Sequence, residues 1–467
     1  MALNTSVAKK MSLVAENAWP VTCMTAGPKH HFFGFHDLPN TSVGGRWLGL
    51  AVDRVDRPPM GEDVAEVITW TAGGFAPRVL TRTRNYNFPQ GARQHWLGQS
   101  ETVIVNEEGP GGAPVARLYD GADGSRIGQI SQSTACSDRK GLRSYTVDFG
   151  RLHRLGGYGH SNMVDRSSTE VSPADNGVYV TDIAADRSKL LLSIDAVRVA
   201  AGLDAASTGA HFITHLRLSP DDSRLAFLHR FRLADGGEET CLWTVGTDGS
   251  NLRLLLRGFL SHFDWLDTGR IMIWGRRNQG LAAIRRSPLL GNPVARALLP
   301  LVKTPLRKLL GRSRTMSMSY LEIADAADSE PAPYAPNSLR MDGHPMLNPA
   351  HPSVILTDTY PNEAGVRELM LYHEATQTRT DLGVFRKLDD EPTKEILAEV
   401  TAHLKATLDV AMPTDIYAFT RSGLHCDLHP RWSADGKTAA FDSIHEGSRQ
   451  IYAIDVSRAL CSRGTVG

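Results

Sequence analysis

His429-Pro-Arg-Trp432-Ser-Ala-Asp-Gly436 runs directly into the apolar stretch Thr438-Ala-Ala-Phe441. A polar residue leads, an aromatic follows, a tight turn comes next, and a short strand leaves the turn. The same arrangement recurs at His215-Leu-Arg-Leu218-Ser-Pro-Asp-Asp222 before Leu225-Ala-Phe227, and at His262-Phe-Asp-Trp265-Leu-Asp-Thr-Gly269 before Ile271-Met-Ile-Trp274. Looser copies are His344-Pro-Met-Leu347-Asn-Pro before Val354, Arg93-Gln-His-Trp96 before Val103, and His36-Asp-Leu-Pro39-Asn40 before Trp47. A weak seventh surrounds Ser137-Asp138-Arg139, before Tyr145-Thr-Val147.

Asp-Gly and Pro-Asp turns between short β-prone runs are hairpin chemistry. Further strand signals lie between the copies, at Gly177-Val-Tyr-Val-Thr-Asp182, Thr240-Cys-Leu-Trp-Thr-Val245 and Gln450-Ile-Tyr-Ala-Ile-Asp455. Six or seven such units predict an all-β chain, a β-propeller of four-stranded blades, with seven blades ahead of six. Closure into a ring leaves few open sheet edges. A chain of 467 residues exceeds the ~150-residue prior for one domain, and a repeated architecture accounts for the excess. The reading is a single propeller over 30–457, with an N-terminal segment 1–29 and a tail 458–467. It carries a basic insertion at 275–319 and a helical one at 386–412.

Fifty-one basic residues balance 51 acidic ones, so no net field marks a nucleic-acid binder. The five cysteines are scattered, with no C-x-x-C. That argues against a disulfide framework or a thiolate zinc site and for a reducing compartment. No apolar region flanks Lys9 and Lys10, and no apolar run reaches the ~18 residues of a membrane span. The expectation is a cytoplasmic protein. The stretch 275–314 carries arginines and lysines with no acidic residue. It reads either as the solvated basic face of a blade insertion or as an amphipathic element touching anionic lipid or glycan, peripheral to the inner membrane.

The leading polar residues of the repeat are His36, Arg93, His215, His262, His344 and His429. If the strands they begin are the innermost of each blade, these side chains face one funnel; otherwise each bonds to a neighbouring turn. Imidazole serves as base, acid or metal ligand near neutral pH. Several histidines without cysteine suit a borderline divalent ion, zinc or manganese. Gln90, His95, Tyr145, His160, His211, His229 and Asp427 add polar groups. Arg93 offers a guanidinium fork for a carboxylate, or else an ion pair with a blade acid. Dinucleotide, phosphate-loop, H-E-x-x-H and G-x-S-x-G motifs are absent from the sequence.

The runs Asn87-Phe-Pro-Gln-Gly91 with Gln94-His-Trp96, Ser261-His-Phe-Asp-Trp265, and Cys426-Asp-Leu-His-Pro-Arg-Trp432 through Phe441-Asp-Ser-Ile-His-Glu-Gly447 resemble the propeller polysaccharide lyases. These are the oligogalacturonate and ulvan lyases, and the resemblance spans residues 30–455. It implies cleavage of a uronic acid-containing carbohydrate by β-elimination. That reaction must neutralise the uronate carboxylate, remove the C5 proton and protonate the leaving oxygen. By position, His262 and His344 resemble the family's metal-binding histidines, and His215 or His229 its catalytic one; from the residues themselves, His429 is expected to join His262 and His344 in holding a divalent ion or the substrate, Arg93 to hold the carboxylate and Tyr145 to act as acid or base. Gln90, His95, His36 and Arg431 are then expected to bind substrate. Upstream of His344 the chain reads Ser338-Leu-Arg-Met-Asp-Gly, so the family's full ligand set is not reproduced. Either Asp342 substitutes or the metal is lost. The expected partner is an acidic oligo- or polysaccharide, not nucleic acid. The rival reading is a non-catalytic scaffold or glycan-binding propeller in envelope polysaccharide assembly.

Overall fold

Two turns show how the repeat folds. In both, a serine hydroxyl bonds an aspartate two residues on, Ser219 to Asp221 and Ser433 to Asp435, each at 2.6 Å. The same hydroxyl then accepts the amide that opens the next strand, from Arg224 and Thr438, at 3.0 Å. The fourth turn residue is left-handed in each, Asp222 at φ 60° and Gly436 at φ 69°. A Cβ on Gly436 would lie 2.3 Å from the Asn348 side chain, so close approach adds to the demand for glycine.

The computed structural model describes residues 19–233, 237–277, 318–386, 392–409 and 412–461. It divides into two compact units, one of Met1–Asp165, Val180–Lys189 and Met341–Gly467, the other of Arg166–Tyr179 and Leu190–Arg340. The sheets are antiparallel meanders in chain order. In the first unit, blade 1 comprises His30–Phe32, Arg46–Val52, Ala65–Thr71 and Arg78–Thr83. Blade 2 comprises His95–Trp96, Thr102–Glu108, Pro114–Asp120 and Arg126–Ile130. Blade 6 comprises Met346–Leu347, Val354–Asp358, Val366–His373 and Thr378–Arg386. Blade 7 takes Arg431–Trp432, Thr438–Ser443 and Gln450–Asp455, and its fourth strand is Thr22–Cys23 from the other end of the chain, with Thr22 opposite Ala453.

Blade 3 comprises Cys136–Ser137, Arg143–Thr146, Gly177–Asp182 and Arg187–Ser193. In the second unit, Thr208–Leu218, Arg224–Leu233 and Glu238–Gly246 begin blade 4. The long strand Arg253–Trp265 completes blade 4 with its first half, where Arg253 faces Thr244. Its second half opens blade 5, where Trp265 faces Ile271, and Arg270–Arg277, Ser319–Ala324 and Ala332–Pro333 follow. The fold is therefore an all-β, seven-bladed propeller with few helices.

The recurring tryptophan has a physical reason. Trp432 donates its indole N–H to the Met346 carbonyl at 3.0 Å, and Trp265 donates to Arg217 at 3.1 Å. In each case the ring leaves its own blade and bonds the first strand of the preceding one, at the matching register. Around these rings the inward strand positions form the cores, with Leu356, Leu371, Phe385 and Phe441 beside Trp432, and Leu228, Leu242 and Ile273 beside Trp265.

A helix at Lys394–Thr407 lies within the region read as a helical insertion. Thr393 caps its N-terminus, and Ile396, Val400 and Leu404 form its buried stripe. That stripe packs on Tyr417 and Ala418 of a second helix, Thr414–Thr420. Beyond Arg277, the basic stretch 275–314 falls outside the described residues.

Blades 7 and 1 meet on a sealed charge. Asp442 is fully buried and accepts the Phe33 amide at 3.2 Å, while Arg431 and Arg449 approach it at 3.1 and 3.7 Å. Each guanidinium also lies on an aromatic face, Arg431 over Phe33 and Arg449 over Phe32. Removing one partner of such a buried set strands the others without compensation, at a cost of about 3–5 kcal/mol. Asp442→Ala is therefore expected to lower unfolding stability by that amount in denaturant titrations, and a loss below about 1 kcal/mol would refute the assignment.

Candidate functional site

His344, Asp427 and His429 converge in the first unit. One ligand atom from each lies within 4.8 Å of the others, and all three residues are buried. The two imidazole rings stand edge to face, 4.3 Å apart. His344 immediately precedes the first strand of blade 6, and the segment holding Asp427 and His429 leads into the first strand of blade 7. Asp427 and His429 lie two residues apart on that segment. His429 adopts φ 41°, in the left-handed region; Arg93 at 53° and His215 at 56° share that conformation at the same place in the repeat. Such backbone costs energy for a residue with a Cβ and tends to collect at functional sites.

The carboxylate of Asp358 orients His344. It takes the backbone N–H at 2.7 Å and Nδ1 at 2.9 Å. With Nδ1 turned to this carboxylate, Nε2 points to the opposite side of the ring, and a carboxylate on one ring nitrogen is the arrangement found behind metal-binding histidines. Burial alone would depress the His344 pKa, but Asp358, Asp427 and Asp342 outweigh it and raise it. Burial would push Asp427 up, yet His425 and Arg367 overcome this and hold it well below the usual carboxylate range. His425 Nε2 lies 3.2 Å from Asp427, and Arg367 lies 3.5 Å away. Burial, aided by the His344 charge, keeps His429 neutral. Oδ1 of Asp427 and Nδ1 of His429 are buried and have no hydrogen-bond partner among the described residues. Two imidazole nitrogens and an ionised carboxylate, gathered in the interior, fit a divalent cation.

His36 borders this group, its ring 5.4 Å from His344 and 6.5 Å from His429. Phe35 packs against His429 at 5.4 Å, and the half-buried Tyr360 lies 5.3 Å from His344. His262 is not in the group. It lies in the second unit with His215, their rings 6.3 Å apart, and each Nδ1 is held by the preceding hydroxyl, Ser261 or Thr214.

Several residues read as site groups have structural duties instead. Arg93 does not present a free fork: it is 5% exposed, and Asp37 grips it bidentately at 2.9 and 2.7 Å while Ala135 takes its Nε. His95 is buried between the Arg93 carbonyl and Ser137, and burial lowers its pKa to about 4. His229 is sealed inside blade 4 against His211 at 2.8 Å, and burial holds it far below its ordinary value. Tyr145 is buried, which raises its pKa and suits packing rather than proton transfer. Gln90 is buried in the Asn87 turn, its amide donating to the Asn87 side chain at 2.8 Å. Arg431 serves the Asp442 pair. Asp342, the substitute suggested by the sequence, lies outside the candidate ligand group; Asp427 holds that place. Asp358 and Tyr360 carried no repeat signal at all. The D-x-H spacing before Trp432 was the available clue to Asp427.

Metal analysis of the purified protein tests this assignment. Manganese or zinc is expected at about one equivalent in the wild type and lost in His429→Ala and Asp427→Asn. Asp358→Asn should bind 10–100-fold more weakly. Full metal content in His429→Ala would exclude the site.

No family model matches the sequence, and no curated protein does. Solved structures do match. An oligogalacturonate lyase in complex with manganese aligns with a TM-score of 0.55 at 13% identity, covering 96% of each chain. Oligogalacturonate lyase from Vibrio parahaemolyticus aligns with the same score at 10% identity, again over 96% of both. Along nearly its whole length, this chain has the β-propeller fold of the oligogalacturonate lyases.

Proposed function

We propose that the protein is a metal-dependent lyase that cleaves uronate-containing oligo- or polysaccharides by β-elimination. The observation that carries the reading is the buried His344–Asp427–His429 group, with one ligand atom of each residue within 4.8 Å of the others. The manganese bound by one structural neighbour supports the choice of that ion, and zinc suits the same donors. A bound divalent cation supplies positive charge to the substrate carboxylate, which acidifies the neighbouring C5–H.

The residues of the chain then divide the remaining work. Asp358 orients the His344 ring through Nδ1, and Asp427 stays ionised through His425 and Arg367. A base takes the C5 proton, its electron pair becomes the C4–C5 double bond, and the C4–O bond breaks as the leaving oxygen gains a proton. His36, beside the two ligand imidazoles, is the base in this reading.

Incubation with polygalacturonate and other acidic glycans should yield a product with the ultraviolet absorbance of an unsaturated uronate. Chelation should abolish it and manganese restore it. His36→Ala is expected to cut kcat at least 100-fold with metal content unchanged; an unchanged kcat in that variant would refute the role. Glycan binding without any unsaturated product across the panel would refute lyase activity and leave a binding protein.

A further inference from the structure

Most arginines around the ligand group are already committed. Asp37 holds Arg93, Asp442 holds Arg431 and Arg449, and Arg367 faces Asp427. Arg421 is different. Among the described residues it makes no ion pair, and its Nε is buried without a hydrogen-bond partner. The side chain is half-buried, with its guanidinium 5.2 Å over the face of Tyr158. A cation on an aromatic shelf is oriented by the ring quadrupole but not neutralised by it.

Its place in the chain ties it to the ligand group. Arg421 ends the helix Thr414–Thr420, its amide bonded to Tyr417 at 3.0 Å. From there the backbone is pinned residue by residue toward Asp427. The Ser422 amide reaches the Phe419 carbonyl at 3.1 Å, the Gly423 carbonyl accepts Arg449 at 3.0 Å, and the Leu424 amide reaches the Val55 carbonyl at 3.1 Å. A Cβ on Gly423 would meet Val55 at 2.6 Å, so this stretch is packed against blade 1 with no slack. His425 then bonds Asp427. The charge of Arg421 also acts on Tyr360, the phenol next to His344; burial and nearby carboxylates raise that phenol's pKa, and Arg421 opposes them.

We infer that Arg421 is a specificity-determining residue that grips a second carboxylate of an acidic oligosaccharide, on the sugar next to the one held at the His344–Asp427–His429 group. This rests on the reading of that group as a uronate site. A guanidinium without a counter-ion, fixed on a rigid segment, presents a planar fork that matches a carboxylate and pays little to be ordered. A neutral sugar would leave the same cation uncompensated, so the residue selects for consecutive uronates over isolated ones.

Calorimetric binding of trigalacturonate and its methyl ester to the manganese-loaded protein tests this directly. Wild type should prefer the free acid, Arg421→Gln should bind the acid at least tenfold more weakly, and affinity for the ester should change less than twofold. Arg421→Lys, which keeps charge but loses the fork, should fall between and serves as the reading if Arg421→Gln does not fold. Equal affinities in wild type and both variants, or failure of the wild type to bind the acid, overturns the inference. Arg421-dependent binding with no unsaturated product would sink the lyase reading while leaving this one standing.

Discussion

A carboxylate shut away from water, shared by two arginines from its own blade and two amides from the next, sets the geometry on which the candidate site depends. Asp442 has no solvent to neutralise it, so Arg431 and Arg449 cannot move without leaving charge unpaired. Arg431 in turn donates through Nε and Nη2 to the His429 carbonyl at 3.0 and 2.7 Å. That contact fixes the one backbone position of the ligand group that sits in the left-handed region. Arg449 reaches Gly423, upstream of Asp427. One buried charge thus positions both ends of the segment that brings two of the three ligands.

Around that scaffold the electrostatics are divided by neighbours rather than by exposure. His344 and His429 are both buried imidazoles, yet their proton affinities move in opposite directions: the hydrogen-bonded Asp358 carboxylate and its acidic neighbours raise the first, while burial and the charge of His344 outweigh Asp427 at the second. Asp427 stays charged in an interior that ought to neutralise it, because His425 and Arg367 stand beside it. The chain has therefore met the desolvation cost of an ionised ligand set before any cation or substrate arrives.

The repeat was legible because its signals are local. Serine, aspartate and a left-handed fourth residue make the same turn wherever they occur, and Trp432 and Trp265 repeat the same bond one blade apart. Two of the three grouped ligands, His344 and His429, came from that register. What the sequence hid were pairings across long separations. Asp37 lies in blade 1 and consumes Arg93 of blade 2, so no inspection of the Arg93 motif reveals its partner. His211 claims His229 across a strand pair, and Asp358 backs His344 from the end of another strand. Asp427 was visible as a residue but not as a ligand, since it stands off the repeating position.

The strand Thr22–Cys23 has a consequence for biogenesis. Its partners, Tyr452 and Ala453, leave the ribosome long after it does. Until they emerge, the Thr22–Cys23 strand has nowhere to dock. Contacts of such high sequence separation are slow to form because loop entropy is lost before they repay it. The nascent chain therefore carries an undocked strand until Gln450–Asp455 is made, and that interval exposes more unpaired sheet edge than the folded state does.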